Sequence, residues 1–363
     1  YRVEQDHDWL TTRRSDELRT LVHDVLADAD MRVSTLDTGV TAGYDGKAFI
    51  RSVDGLREMR FWGFTQIRYT YNHRKSEPGV DSDRGGFSIQ RTRFFVDGNI
   101  GDISFRFRST AGDNGTFRLD QAYAQMTVFE EAKLRVGQFQ LPLFHDEWVA
   151  AQNQLAVDSS VVNSTFGQGQ SQGVMLHRQW DRVRIWGAYS DGLRTSNTAA
   201  LSGQNADYAF TGRVEYRFGE VPWSAFDDYT SFPGSSFGGF LGLAAHYESG
   251  DELIATTGTE LAYFTGSVGL EGDGWNSYVM GVLAYDDLNT PNETNTLDFG
   301  FLVQGGFFIT PTVELFGRFD WTQGGDDRVD DDPFRTITAG FNWYIAPNSH
   351  RAKITANLLY FFD

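Results

Sequence analysis

Four arginines stand at two-residue spacing in GFSIQRTRFFVDGNIGDISFRFRST, residues 86–110: Arg91 and Arg93, then Arg106 and Arg108. Side chains alternate along a strand, so each pair projects from one face. The opposite face reads Thr92, Phe94, Val96, Gly98 and Ile100. After a tight turn at Gly101-Asp102 it continues as Ile103, Phe105 and Phe107. This predicts an antiparallel hairpin with one apolar and one cationic side; Asp97 and Phe95 also fall on the arginine side. Guanidinium is permanently charged and matches carboxylate or phosphate in a bidentate manner. Such a grid, lining a confined aqueous space, would draw anions in and repel cations, more strongly at low salt. The competing reading is a structural network in which Asp97, Asp120 and Glu215 neutralise the arginines. Lys133, Arg213, Arg217 and Arg318 occupy similar places in other alternating segments.

The elements that must position these residues are strands. From residue 46 onward no convincing helix is found. About fifteen long alternating segments run between 59 and 362, clearest at 208–218, 313–321, 336–344 and 353–362. They span nine to twelve residues, as a tilted membrane strand requires, and aromatics gather at their ends. Asp54-Gly55 marks a further hairpin after Ala48–Ser52. Short turns alternate with long links at 72–86, 139–171, 191–206, 249–259, 287–295 and 322–333. Two links break that order: 112–115 is short on the long side and 219–236 is long on the short side. Sorted turns and one continuous apolar face predict an all-β fold, a transmembrane antiparallel barrel, over a soluble sandwich. Residues 1–45 read differently. Leu18, Leu21, Val22, Val25 and Leu26 form one helical face after Ser15, giving a short amphipathic helix, and 41–47 reads as linker.

The chain has 363 residues, 15% aromatics, 39 Gly, 8 Pro and no Cys. Disulfides and Cys-based metal sites are therefore excluded. The formal net charge of −18 argues against a nucleic-acid partner. Acid clusters lie in predicted links: Asp81 and Asp83, Asp227 and Asp228, Asp251 and Glu252, Asp326, Asp327 and Asp330 to Asp332. They read as solvated loops or as divalent-cation bridges to lipopolysaccharide. No apolar run is long enough for a membrane helix. The histidines His7, His23, His73, His145, His177, His246 and His350 show no catalytic or metal-binding spacing. No catalytic residue, metal or cofactor is expected. An outer-membrane barrel hydrolase, with His177 or His246 near Ser171 or Ser190, and a soluble lectin-like β protein are the alternatives.

The stretch 134–176 resembles the bacterial phosphate-selective porin O and P family. Val136, Gly137, Gln138, Phe139 and Pro142 match its V-G-Q-F-x-x-P element; Gly169, Gly173 and Val174 match its G-x-x-x-G-V return. Strand 87–98 resembles the family's arginine-bearing strand, with Gln90 where a further Arg is expected, and 48–71 resembles its first strands. The resemblance implies a 16-stranded homotrimeric barrel in the bacterial outer membrane, spanning 46–363, with residues 1–45 in the periplasm. Link 139–171 would fold inward as the constriction, carrying His145, Asp146, Glu147 and Asp158 toward the arginines or against the wall. With fifteen long strands, either Ala48–Ser52 is a short sixteenth or a last strand lies beyond Asp363; the ending YFFD favours the latter. The expected function is passive diffusion of small hydrophilic solutes, with small anions preferred. Phosphate-specific relatives also use lysines at the constriction. Here only Lys47, Lys75, Lys133 and Lys353 occur, and only Lys133 is expected in the lumen.

Overall fold

The computed structural model describes Thr20 and residues 39–74, 82–112, 115–250, 259–287, 295–325 and 332–362. Apart from Thr20, the helix expected near 15–29 lies outside the described residues. So do Lys75, Asp81, Asp251, Glu252, Asp326, Asp327, Asp330 and Asp331.

Among the described residues, seventeen strands form a single sheet. Two are short, β1 (Val40–Tyr44) and β2 (Ala48–Ser52). The others are β3 (Arg57–Arg74), β4 (Ser82–Ile100), β5 (Ile103–Ala111), β6 (Phe117–Phe129), β7 (Ala132–Phe139), β8 (Ser171–Gln179), β9 (Val183–Ser190), β10 (Tyr208–Gly219), β11 (Gly238–Gly250), β12 (Thr259–Gly272), β13 (Trp275–Asp287), β14 (Thr296–Thr310), β15 (Val313–Gln323), β16 (Phe334–Tyr344) and β17 (Lys353–Phe362). Each pairs antiparallel with its sequence neighbour, from β1–β2 through β16–β17. β3 to β17 fall on the expected long segments, but β3 and β4 run to 18 and 19 residues, past the expected nine to twelve, and take up most of the link expected at 72–86; Ala48–Ser52, one of the two alternatives for a further strand, is β2. The expected total of 16 is exceeded by β1, in residues read as linker, which turns into β2 at Gly46 with φ +97°.

Alternation sorts the side chains as their types require. On β3, Met59, Phe61, Ile67, Tyr69 and Tyr71 face outward; Glu58, Arg60, Trp62, Gln66 and Arg68 face inward. Ile67 is 76% exposed, Phe87 82% and Leu358 74%. A soluble sandwich would have buried that face as its core, whereas a membrane barrel gives it to lipid.

The apolar core instead sits inside. The link from 140 to 170 enters from the long-link end and carries α1 (His145–Trp148) and α2 (Val161–Phe166), the latter capped by Ser160 Oγ accepting from Asn163 N at 2.9 Å. The link from 220 to 237 enters from the opposite end. Leu143, Phe144 and Phe166 of the first meet Trp223, Phe226 and Tyr229 of the second, against Phe240, Tyr278, Met280, Leu302 and Phe316 of the wall. The lumen is therefore lopsided. β11 to β15 back a packed core, and β3 to β7 form the charged wall.

Candidate functional site

Arg91 and Arg93 of β4 and Arg106 and Arg108 of β5 all lie on the inward face, as their spacing predicts. Arg68 of β3, Arg118 of β6 and Arg135 of β7 join them. Asp97 sits opposite Arg106 in register and accepts from its Nε at 2.6 Å and from Trp62 Nε1 at 2.8 Å. Asp120, 3% exposed, is shared by Arg108 at 3.3 Å, Arg118 at 3.3 Å and Arg93 at 4.0 Å. Arg135 donates to Gln125 Oε1 at 2.9 Å and lies 4.2 Å over the Tyr123 ring. Asp158 reaches across from the inward link and accepts from Arg68 Nη1 through both oxygens, at 2.9 and 3.0 Å. Apart from Arg60, which pairs with Glu58 on β3, seven arginines face three carboxylates, Asp97, Asp120 and Asp158; seven less three leaves four positive charges. Among the described residues, Arg91 is the one arginine of the seven with neither ion pair nor hydrogen bond. Phe95 breaks the polar face because its ring stacks on Trp62, 3.7 Å between centroids.

The remaining basic residues divide. Lys133 shares the face of Arg135 and is exposed near the short-turn end. Arg213, Arg217 and Arg318, expected to line the pore, point inward but are used up as anchors. Arg213 donates to Glu215 Oε1 at 2.7 Å, to the Leu143 carbonyl at 3.2 Å and to Ser267 Oγ at 2.9 Å. Arg217 grips Asp181 Oδ1 at 2.6 Å and the Val221 carbonyl. Arg318 donates to the carbonyls of Asp158 at 3.0 Å and Ser159 at 3.3 Å. The lumen beside these strands is filled by the two links, and buried carbonyls need donors. Two lysines not expected in the lumen also face it: Lys47 lies 3.4 Å from Asp97, and Lys353 donates to the Gln154 carbonyl at 2.7 Å.

Of the acidic and imidazole groups expected on the constriction loop, only Asp158 meets the arginine wall. His145 and Asp146 are instead buried in the core and hold the two links together, while half-buried Glu147 ties the first link to itself. His145 Nε2 donates to the Phe226 carbonyl at 3.0 Å, and its Nδ1 lies 3.5 Å from Glu215 Oε1. Burial holds its pKa below the usual imidazole range. Asp146 accepts from the Tyr229 hydroxyl at 2.8 Å and from Ser160 Oγ at 3.2 Å. Glu147 Oε1 accepts from the amides of Gln168 and Gly169, both at 2.7 Å, while burial pushes its pKa up to about 7. Sequence reasoning listed 219–236 as a misplaced long link and missed its role. Its aromatics Trp223, Phe226 and Tyr229 have no period to betray them.

The glycines of the loop's two ends have a structural reason. Gly137 and Gly173 are register partners where the link leaves and rejoins the wall. A Cβ at Gly137 would stand 2.3 Å from the Ala122 carbonyl oxygen, and one at Gly173 2.3 Å from that of Tyr189. Gly137 also adopts φ +130°, a conformation open to glycine. Gln138, next in the chain, donates its side-chain amide to the carbonyls of Leu119 at 3.0 Å and Asp120 at 2.9 Å.

This loop and its wall fall within residues 65–220, which match the family described as phosphate-selective porin O and P. Over this stretch the chain is similar to that family. The porin match holds the seven arginines and the whole of the 140–170 link. No curated protein sequence matches the chain. Among solved structures, the fold is similar to that of an anion-selective porin from Comamonas acidovorans, with TM-score 0.58, 11% identity, and 84% of this chain and 89% of that one covered. It is also similar to a loop-deletion mutant of OmpT, an outer membrane protein of Vibrio cholerae (0.57, 11%, 84% and 94%). The outer membrane channel DcaP of Acinetobacter baumannii is a third (0.52, 12%, 88% and 93%). At these identities the likeness is one of fold. The family match over 65–220 and the shared fold together support an outer-membrane channel.

Proposed function

We propose that the chain passes small hydrophilic solutes by passive diffusion and prefers anions. One observation carries the reading: on the wall facing the inward loop, arginines outnumber carboxylates, and Arg91 has no partner among the described residues. A unit positive charge 7 Å from a permeant is worth about 0.6 kcal/mol even at the dielectric of water, roughly threefold in occupancy. The solved structure described as anion-selective has the same fold, which supports the same reading. Phosphate specificity is no part of it. Lys47 shares Asp97 with Arg106 and Lys353 is tied to the Gln154 carbonyl, which leaves Lys133 as the exposed lysine of the wall. A homotrimer is proposed as the assembly, since one of the similar structures is described as a trimer form of OmpT. The N-terminal segment is assigned to the periplasm, and the surrounding partners to outer-membrane lipid and lipopolysaccharide. The test is planar-bilayer conductance under a KCl gradient, repeated with inorganic phosphate. An anion-favouring reversal potential is expected. A cation-favouring potential would overturn the reading, and phosphate block of the chloride current would narrow it to phosphate.

A further inference from the structure

Beside the arginine grid, toward the short-turn end, the inward face of the wall turns aromatic. Lys133 of β7, His177 of β8 and Trp186 of β9 are register neighbours in one row across three strands. Two strand spacings, about 10 Å, separate the first from the last. Arg135 stands two residues from Lys133 on the same face, with its guanidinium 4.2 Å over the Tyr123 ring of β6. From the inward link, Trp148 of α1 packs on Trp186, with 4.9 Å between ring centroids and 54° between planes. His177 meets the same Trp186 ring edge-on at 6.4 Å. Tyr123, Arg135, Trp148, His177 and Trp186 are all half-buried, so each keeps some surface open. Charge in this cleft is one-sided. The charged groups acting on His177 are Arg135, Lys133 and Arg184, all cations, and Arg184 is already taken by Glu215. Among the described residues, Arg135 has only the neutral Gln125 as a hydrogen-bond acceptor, at 2.9 and 3.1 Å, and Lys133 has none. His177 Nδ1 is buried without a partner. Neither indole N–H, of Trp148 or of Trp186, meets an acceptor among the described residues.

We infer that this cleft is a binding site for aromatic carboxylates, the ring against Trp186 and Trp148 and the carboxylate on Arg135 and Lys133. A strongly hydrated inorganic anion can use the cations but gains nothing from apolar ring faces, which exclude its water. A planar ring gains tilted or edge contacts with both indoles, and its carboxylate gains charge-assisted hydrogen bonds from the free Nη1 of Arg135. The inference rests on the anion-preferring channel and names a solute class for it. The test is block of the single-channel chloride current by benzoate in planar bilayers, with acetate as the same charge without a ring. Benzoate should block at concentrations about tenfold below acetate. Trp186→Leu should weaken the benzoate block about three- to tenfold relative to acetate, and Trp186→Phe, which keeps a ring, should restore most of it. Trp148→Leu, in the link and outside the sheet, should weaken it in the same way and serves if Trp186→Leu does not insert. Arg135→Gln should weaken the block by both anions. Equal block by benzoate and acetate overturns the inference, as does a benzoate block that the Trp→Leu variants leave intact. The reversal potential under a KCl gradient in the same bilayers separates the failures. A cation-favouring potential refutes the channel reading; an anion-favouring one with equal block refutes the cleft alone.

Discussion

At the scale of single residues, the arginines differ in what their loss should do. Arg91→Gln removes a charge but orphans no described partner. It should lower the anion-to-cation permeability ratio by roughly sevenfold, about threefold lost for the anion and about threefold gained for the cation, and leave thermal unfolding of the barrel nearly unchanged. Arg213→Gln should do the reverse. It strips a donor from Glu215, which is 0% exposed, and from the Leu143 carbonyl. About 3 kcal/mol of stability should be lost, read as a lower temperature of unfolding on gels, with little change in selectivity. Glu147 gives a signed pH dependence. Its folded pKa of about 7 lies above its ordinary 4.5, so the folded chain keeps a proton that the unfolded chain releases between those values. Its contribution to stability therefore falls as pH rises through that window. His145, held below its ordinary 6.5, acts the other way and loses stability as pH falls below 6.5. The comparison that isolates Glu147 is wild type minus Glu147→Gln, and that difference should shrink steadily from pH 4.5 to 7.

At the scale of elements, the joint between wall and loop is set by Gly137. Gly137→Ala places a methyl group against the β6 backbone at a positive φ. It should cost about 1–3 kcal/mol and raise open-channel noise as the loop loses its fixed departure. Asp158→Asn should raise the noise with a cost under about 1 kcal/mol, because its side chain is 49% exposed where it meets Arg68. How far such elements could be read in advance depended on the contrast between their two faces. β3 to β5 set aromatics against arginines, and their alternation was plain. β11 to β14 were faint because their inward faces carry Phe240, Ala244, Tyr263, Tyr278, Met280 and Leu302, apolar like the outward ones. Their partners are the links, which no periodicity announces. For the same reason the inward direction of Arg213 and Arg318 was legible, but their use was not. Each answers a carbonyl more than 60 positions away in the sequence.

At the scale of the whole molecule, the formal charge is −18 while the pore wall is positive. Selectivity must therefore come from a local field. Raising KCl from 0.1 to 1 M shortens the screening length from about 10 to about 3 Å, and the anion preference should fall toward unity across that range. A preference that held at 1 M would instead indicate a binding site with direct contacts. The two inward links also bear on how the molecule is made. Among the described residues every strand pairs in register with its neighbour in sequence, so the sheet can grow hairpin by hairpin with small loops to close. The bond between Asp146 and Tyr229 spans 83 residues, and that between His145 and Phe226 spans 81. Long closures form late. Refolding should therefore pass through a barrel whose sheet is complete and whose interior is still hollow, with a larger and less selective conductance that narrows as the two links find each other.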